Sequence, residues 1–114
     1  MEEAEKKLFT QAVYDIVKCI PCGRATSYAA IARAAGFQGM QRMAGRIMAA
    51  CDSRTSGIPA HRVVNSQGVL SGRNAFGAEG EMRRMLEAEG ITVTNDRIKS
   101  WKTVFWDPLE EIKI

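Results

Sequence analysis

At 114 residues the chain has the length of one domain, expected to span 1–114, and 46% hydrophobic with 25% charged residues is the balance of a globular protein. No apolar run nears the ~20 residues that cross a bilayer, and the acidic-then-basic start has no apolar stretch behind it. Neither membrane insertion nor a secretory signal is expected, and a monomer in the cytoplasm (nucleoid-associated) or nucleus is. The net charge of +3 hides an asymmetry: residues 20–75 hold seven arginines, no lysine and one acid, Asp52, an excess that suits a polyanion if those arginines share a face.

The first predicted helix runs from Glu3 to Cys19, with Leu8, Ala12, Val13, Ile16 and Val17 as its apolar stripe. Pro21 and Gly23 break the chain after it. A second, short helix is expected to start at Ser27, a good N-cap residue, and to end at Gly36, a good residue just past a helix. Beyond Phe37–Gly39 a third helix is predicted from Met40 to Ala50. Met43, Ala44, Ile47 and Met48 face inward in it, and Arg42 and Arg46 lie together on another side. Two short helices across a glycine-containing turn make a helix-turn-helix candidate, a pattern that many small domains without a DNA role also contain.

Cys51–Ala60 reads as loop. His61–Val64, the turn Asn65–Gly68 and Val69–Leu70 read as a small hairpin or wing, and a glycine-rich loop follows over Ser71–Gly77. Glu79–Glu89 reads as a helix closed by Gly90. The tail, with Ile91, Val93, Trp101, Val104, Phe105 and Trp106, is apolar enough to dock on the body. The fold class is mainly α with a small β-hairpin, a winged-helix-like helix-turn-helix domain.

Cys19, Cys22 and Cys51 cannot all pair, and reduced thiols are expected. The Cys19–Cys22 spacing invites a zinc or redox reading. Zinc needs four ligands, however, and only Cys51 and His61 remain to complete a set, while a redox motif needs a βαβ setting that is lacking. No metal and no cofactor are expected.

Four segments carry a resemblance: Ile20-Pro-Cys-Gly-Arg-Ala-Thr-Ser-Tyr28, Ile31-Ala32 with Ala35-Gly36, Gln41-Arg-Met-Ala-Gly45, and Gly57-Ile-Pro-Ala-His-Arg-Val-Val-Asn65. From Ile20 to about Gly90 the chain resembles the C-terminal, DNA-binding type of domain of the O6-alkylguanine-DNA alkyltransferases. Repair-competent members carry Pro-Cys-His-Arg-Val in the last segment, and that cysteine accepts the alkyl group. Here the segment reads Pro59-Ala60-His61-Arg62-Val63, which resembles the alkyltransferase-like proteins, a non-catalytic branch of that family. Direct reversal needs a thiolate that attacks the alkyl carbon and a base that takes the thiol proton. An alanine methyl group can do neither, so no catalytic residue and no enzyme activity are expected. Many alkyltransferase-like members have Trp at this position, so Ala60 departs from that pattern and leaves room for adducts bulkier than methyl.

The resemblance implies a partner, double-stranded DNA with an alkylated guanine, and an act, extrusion of that base into a pocket, a step costing a few kcal/mol of lost stacking. Tyr28 would crowd the 3′ phosphate and help rotate the nucleotide; its alternative is an aromatic stapling a helix to the core. Arg42 would fill the gap left in the stack from the minor groove, and Arg46, one turn on, would contact phosphate. Arg73, thirteen positions after Ala60, would wall the pocket and reach O6 or the base face. Backbone groups of Ala60, Val63 and Asn74 would read the base edges. The glutamate that orients the motif histidine in the enzymes aligns with Arg83, which would leave His61 as a locally satisfied structural histidine. Removal of the damage would fall to nucleotide-excision repair proteins.

Two rivals stand beside this reading. One is a divergent alkyltransferase that uses Cys51 or Cys22, although Cys51 lies nine positions before Ala60 at the far end of the loop. The other is a winged-helix transcription regulator reading undamaged sequence in the major groove. The C-terminal aromatics are a candidate docking surface for a repair partner if they are exposed.

Overall fold

The computed structural model describes residues 1–51 and 56–112. Helix α1 (Glu3–Lys18) buries Phe9, Val13 and Val17, a line spaced four residues apart. Leu8, expected in that stripe, is instead 68% exposed. Leu8 and Phe9 are neighbours, so a rotation of one position decides which of them is inside, and the phase set by Val13 and Val17 selects the larger Phe9.

Helix α2 (Tyr28–Ala34) is capped by Ser27, whose Oγ accepts from the Ala30 amide at 3.1 Å. Its C-terminal end closes at Gly36, where φ is +88°. The Phe37 amide donates to Ala32 O and the Gly36 amide to Arg33 O, the paired bonds of a left-handed helix stop. Helix α3 (Gln41–Ala50) follows and packs on α2. It buries Ala44, Ile47 and Met48 as expected, with Met43 partly buried against the same core. The helix-turn-helix pair is therefore present.

The loop expected over Cys51–Ala60 includes residues 52–55, which lie outside the described part of the chain. After it, Ala60–Arg62 form one 3-10 turn, and strand β2 (Val63–Val64) pairs in parallel with β1 (Thr26–Ser27), Thr26 opposite Val63. The sequence reading placed a hairpin over His61–Leu70; the antiparallel pair lies elsewhere, between β3 (Val93–Thr94) and β4 (Arg97–Ile98). Both Val63 and Val64 are fully buried, a strand with two covered faces, as parallel pairing requires. The turn at Asn65–Gly68 does form. Asn65 Oδ1 accepts from the Gln67 and Val69 amides at 2.9 Å each, and Val69 then bridges to Arg97.

The glycine-rich loop contains a 3-10 turn over Arg73–Phe76. Helix α4 (Glu81–Ala88) buries Met82 and Leu86 and closes at Gly90 with the same pair of bonds as α2, Ile91 to Leu86 O and Gly90 to Glu87 O. The tail adds short helices α5 (Trp101–Val104) and α6 (Pro108–Glu111). It docks as expected: the Trp106 amide donates to Ala25 O at 2.8 Å, Arg24 donates to Val104 O and Phe105 O, and Trp106 is buried. Trp101 and Phe105 are partly covered and pack together in a tilted arrangement, ring centroids 5.3 Å apart, so the C-terminal aromatics do not form the exposed surface that docking would need. Two apolar clusters result: one joins α1, α2, α3 and the Ile58–Val63 segment, the other joins β2, α4 and the β3–β4 hairpin. The β1–β2 pairing ties them together and fixes Ala60 beside the start of α2.

Candidate nucleic-acid interface

A cavity of about 390 Å³ opens beside Ala60, toward the lower end of the size range typical of small-ligand sites. Its walls come from the C-terminal end of α3 (Met48–Ala50, then Cys51), from Ala75–Gly77 of the loop, and from Glu81 and Met85 on α4. A small adjoining crevice of about 30 Å³ shares Ala60, Met48 and Phe76 with it and is bordered by Tyr28, Gly45 and Gly72. The structure thus brings Tyr28, Ala60 and one end of α3 together. Tyr28 is half-buried, burial pushes its phenol above the ordinary value of 10.0, and the Ser71 side chain opposes that rise.

Of the other expected site residues, Arg42 and Arg46 stand exposed on α3 and make no ion pair among the described residues. Arg73 and Asn74 are exposed in the 3-10 turn whose next two residues, Ala75 and Phe76, line the cavity. Arg73 does not line it: its guanidinium donates to Leu70 O at 2.9 Å and pairs with Asp96 at 3.5 Å. The Val63 side chain is buried in the β1–β2 pair, away from the cavity wall.

The arginine excess divides once the contacts are known. Arg24 holds the tail, Arg33 pairs with Asp107, Arg62 with Glu89 and Arg73 with Asp96. Arg54 lies outside the described residues. Among the described arginines of residues 20–75, this leaves Arg42 and Arg46 on α3 without an ion pair.

His61 is buried, and its Nε2 donates to Glu89 Oε2. The glutamate that holds the motif histidine is thus Glu89, the C-cap of α4, and not Arg83, which pairs with Glu87 on the surface. His61 has kept its acidic partner. Arg62 grips the same carboxylate through Nε and Nη2 at 2.9–3.1 Å and donates to Ile20 O, and the Gly23 amide donates to Glu89 Oε1. Burial alone pushes this carboxyl up, but the hydrogen bonds from Arg62, His61 and Gly23 together outweigh it and hold the pKa at about 2, against an ordinary 4.5. A carboxylate at a helix C-terminus opposes the dipole, so a cluster of donors around it is the arrangement to expect. That mismatch was the signal that could have identified Glu89.

Cys51 lines the cavity, which corrects its placement at the far end of the loop; its Sγ contacts Ser56 Oγ at 3.4 Å. Cys19 and Cys22 are exposed, and no group of three or more His, Cys, Asp or Glu able to hold a metal occurs among the described residues. None of the described helices is long and apolar enough to cross a membrane.

Comparison with known proteins gives this geometry its context. The family model of the 6-O-methylguanine DNA methyltransferase DNA-binding domain matches residues 8–91. Alkyltransferase-like protein 1 of Schizosaccharomyces pombe is 34% identical over 94 residues, covering 82% of this chain and 86% of that protein. A DNA base-flipping protein of Vibrio parahaemolyticus is 31% identical over 102 residues, covering 88% and 97%. The crystal structure of the S. pombe protein in complex with damaged DNA containing O6-carboxymethylguanine superposes with a TM-score of 0.77 at 32% identity, covering 93% of this chain and 98% of that one. With its family domain matched over most of its length and the cysteine of the Pro-Cys-His-Arg-Val motif replaced by Ala60, this chain belongs to the alkyltransferase-like proteins of the O6-alkylguanine-DNA alkyltransferase family.

Proposed function

We propose that the chain binds duplex DNA containing an O6-alkylguanine, receives the extruded base in the cavity beside Ala60, and holds it there without removing the alkyl group. The observation that carries this reading is the cavity itself: a space of about 390 Å³ whose wall includes a methyl group where the enzymes have their thiol. In this reading Tyr28, which borders the adjoining crevice, helps rotate the nucleotide, and Arg42, exposed on α3, fills the emptied stack. Arg46 serves phosphate. Arg73 reaches the base once it leaves Asp96, and the backbone of Ala60, Val63 and Asn74 reads the base edges. The chain acts as a binding protein and not as an enzyme, working as a monomer, and it marks the lesion for other proteins, of which nucleotide-excision repair is the one the resemblance implies. The S. pombe and V. parahaemolyticus relatives support this by their names and by a complex with damaged DNA. A titration of duplexes with guanine or O6-methylguanine tests it. Wild type is expected to prefer the lesion at least tenfold, and Tyr28→Ala and Arg42→Ala to erase most of that preference. Equal affinity of wild type for both duplexes refutes it.

A second reading is favoured by one observation, the presence of the Cys51 thiol in the cavity wall. There the thiolate sulfur would attack the alkyl carbon, forming an S–C bond as the C–O6 bond breaks, and the proton lost from the thiol would end on N1 of the restored guanine, which stays in the DNA. Incubation with DNA labelled in the alkyl group separates the two: stoichiometric label on Cys51 supports transfer, and unlabelled protein supports binding alone.

A further inference from the structure

Among the described residues that line the cavity beside Ala60, Glu81 is the one charged side chain. The rest of that wall is built from alanines, two methionines, Phe76, Gly77 and the Cys51 thiol, none of which discriminates by charge. Glu81 is the first residue of α4, where the free amides of the helix start favour a negative side chain. Its carboxylate accepts from Arg84 Nη2 at 2.8 Å, but Arg84 is the more exposed partner, 61% against 35%, and does not line the cavity. A solvent-facing ion pair of this kind compensates a charge only partly.

We propose that Glu81 selects adducts by charge: the cavity admits O6 substituents that are neutral, cationic or tipped with a hydrogen-bond donor, and it disfavours anionic ones. This rests on the reading of the cavity as the base pocket. A second carboxylate carried into the cavity on O6 is repelled by Glu81, and at partly screened range that repulsion weakens binding by about tenfold. The preference is not carried over from the S. pombe relative, whose complex contains O6-carboxymethylguanine, an adduct that is anionic at neutral pH. It comes from a side chain in this chain's own wall.

The test uses duplexes containing guanine, O6-methylguanine, O6-(carboxymethyl)guanine and O6-(carbamoylmethyl)guanine. The last two have the same size and shape and differ by one charge. Wild type is expected to bind the carbamoylmethyl duplex about tenfold more tightly than the carboxymethyl duplex. In Glu81→Gln that ratio is expected to fall close to one, and in Arg84→Gln, which strips the carboxylate of its counter-ion, to widen. Each ratio is taken within one variant, so a general loss of binding or folding cancels. A wild-type ratio near one, or a ratio that persists in Glu81→Gln, overturns the inference while leaving lesion binding in place. Wild type that fails to distinguish O6-methylguanine from guanine overturns both it and the function on which it rests.

Discussion

His61 and Glu89 are joined side chain to side chain, Nε2 to Oε2, although 28 residues and the whole of α4 separate them in the chain. The pair fixes the orientation of His61, the neighbour of Ala60 in the same 3-10 turn. With Arg62 on the same carboxylate, it also pins the 3-10 turn that carries Ala60 to the end of α4. The contact thereby holds one wall of the cavity in place.

The acid side of the stability curve reports this cluster. Glu89 has a folded-state pKa of about 2, below its ordinary 4.5, so its contribution is fully present above about pH 5 and is lost as the pH falls from 4.5 toward 2. The side chain is largely covered, and the depression corresponds to on the order of 3 kcal/mol. Glu89→Gln, which leaves Arg62 without its counter-charge, is expected to cost about 2–4 kcal/mol in urea unfolding at pH 7. Against wild type the difference should shrink steadily below pH 4.5. A difference that stays constant down to pH 2 contradicts the assignment of the stabilisation to the ionised carboxylate.

Arg73 and Asp96 form a pair with a consequence for binding. Asp96 sits in the β3–β4 turn at φ +59°, and its carbonyl accepts from the Leu70 amide, so the acid is held against the loop that bears Arg73. Asp96→Asn keeps a residue that tolerates that conformation and removes the charge. Affinity for a lesion duplex should rise about two- to fivefold, and the gain should vanish in the Arg73→Ala background. An equal gain with and without Arg73 would assign the effect to net charge alone.

Gly72 touches the hydroxyl of Tyr28 so closely that an added Cβ would lie 2.6 Å from Tyr28 Oη. Gly72→Ala must displace the phenol. The expected result is a stability loss of about 1 kcal/mol with a severalfold loss of lesion affinity and little change in binding to undamaged DNA. Tyr28→Ala should show the same selectivity defect. If Gly72→Ala binds the lesion as wild type does, the placement of Tyr28 is irrelevant to recognition.

Arg42 and Arg46 lie one turn apart, yet they are expected to fail differently. Arg46→Ala should weaken binding to damaged and undamaged duplexes alike and reduce the slope of log affinity against log salt by about 0.9. Arg42→Ala should act mainly on the lesion duplex, because in the proposed complex it makes its contact only once a base has left the stack. Identical profiles for the two variants would mean that both are simple phosphate contacts.

What the sequence disclosed follows the range of the forces involved. The ends of α2 and α4 were readable because Ser27, Gly36 and Gly90 act on amides and carbonyls within a few residues of themselves. The alanine in place of the family's cysteine was readable because the motif is contiguous. The β1–β2 pairing joins two-residue strands 37 positions apart and has no local signature, so the hairpin was expected in the wrong place. Glu89 was missed because residues 71–80 must be counted correctly to place α4 against the motif. Distance along the chain separates Cys51 from Ala60, yet at the end of α3 it stands in the same cavity wall. The spread of arginines was visible, but not that four of the seven are engaged with carboxylates or tail carbonyls.

The most direct test of the central claim is a crystal structure of this chain with a duplex carrying O6-methylguanine. The account predicts the modified guanine outside the helix, in the cavity against Ala60, with Arg42 in the vacated stack and the methyl group still on O6. A guanine that remains stacked over an empty cavity, or one found without its methyl beside an S-methylated Cys51, contradicts it.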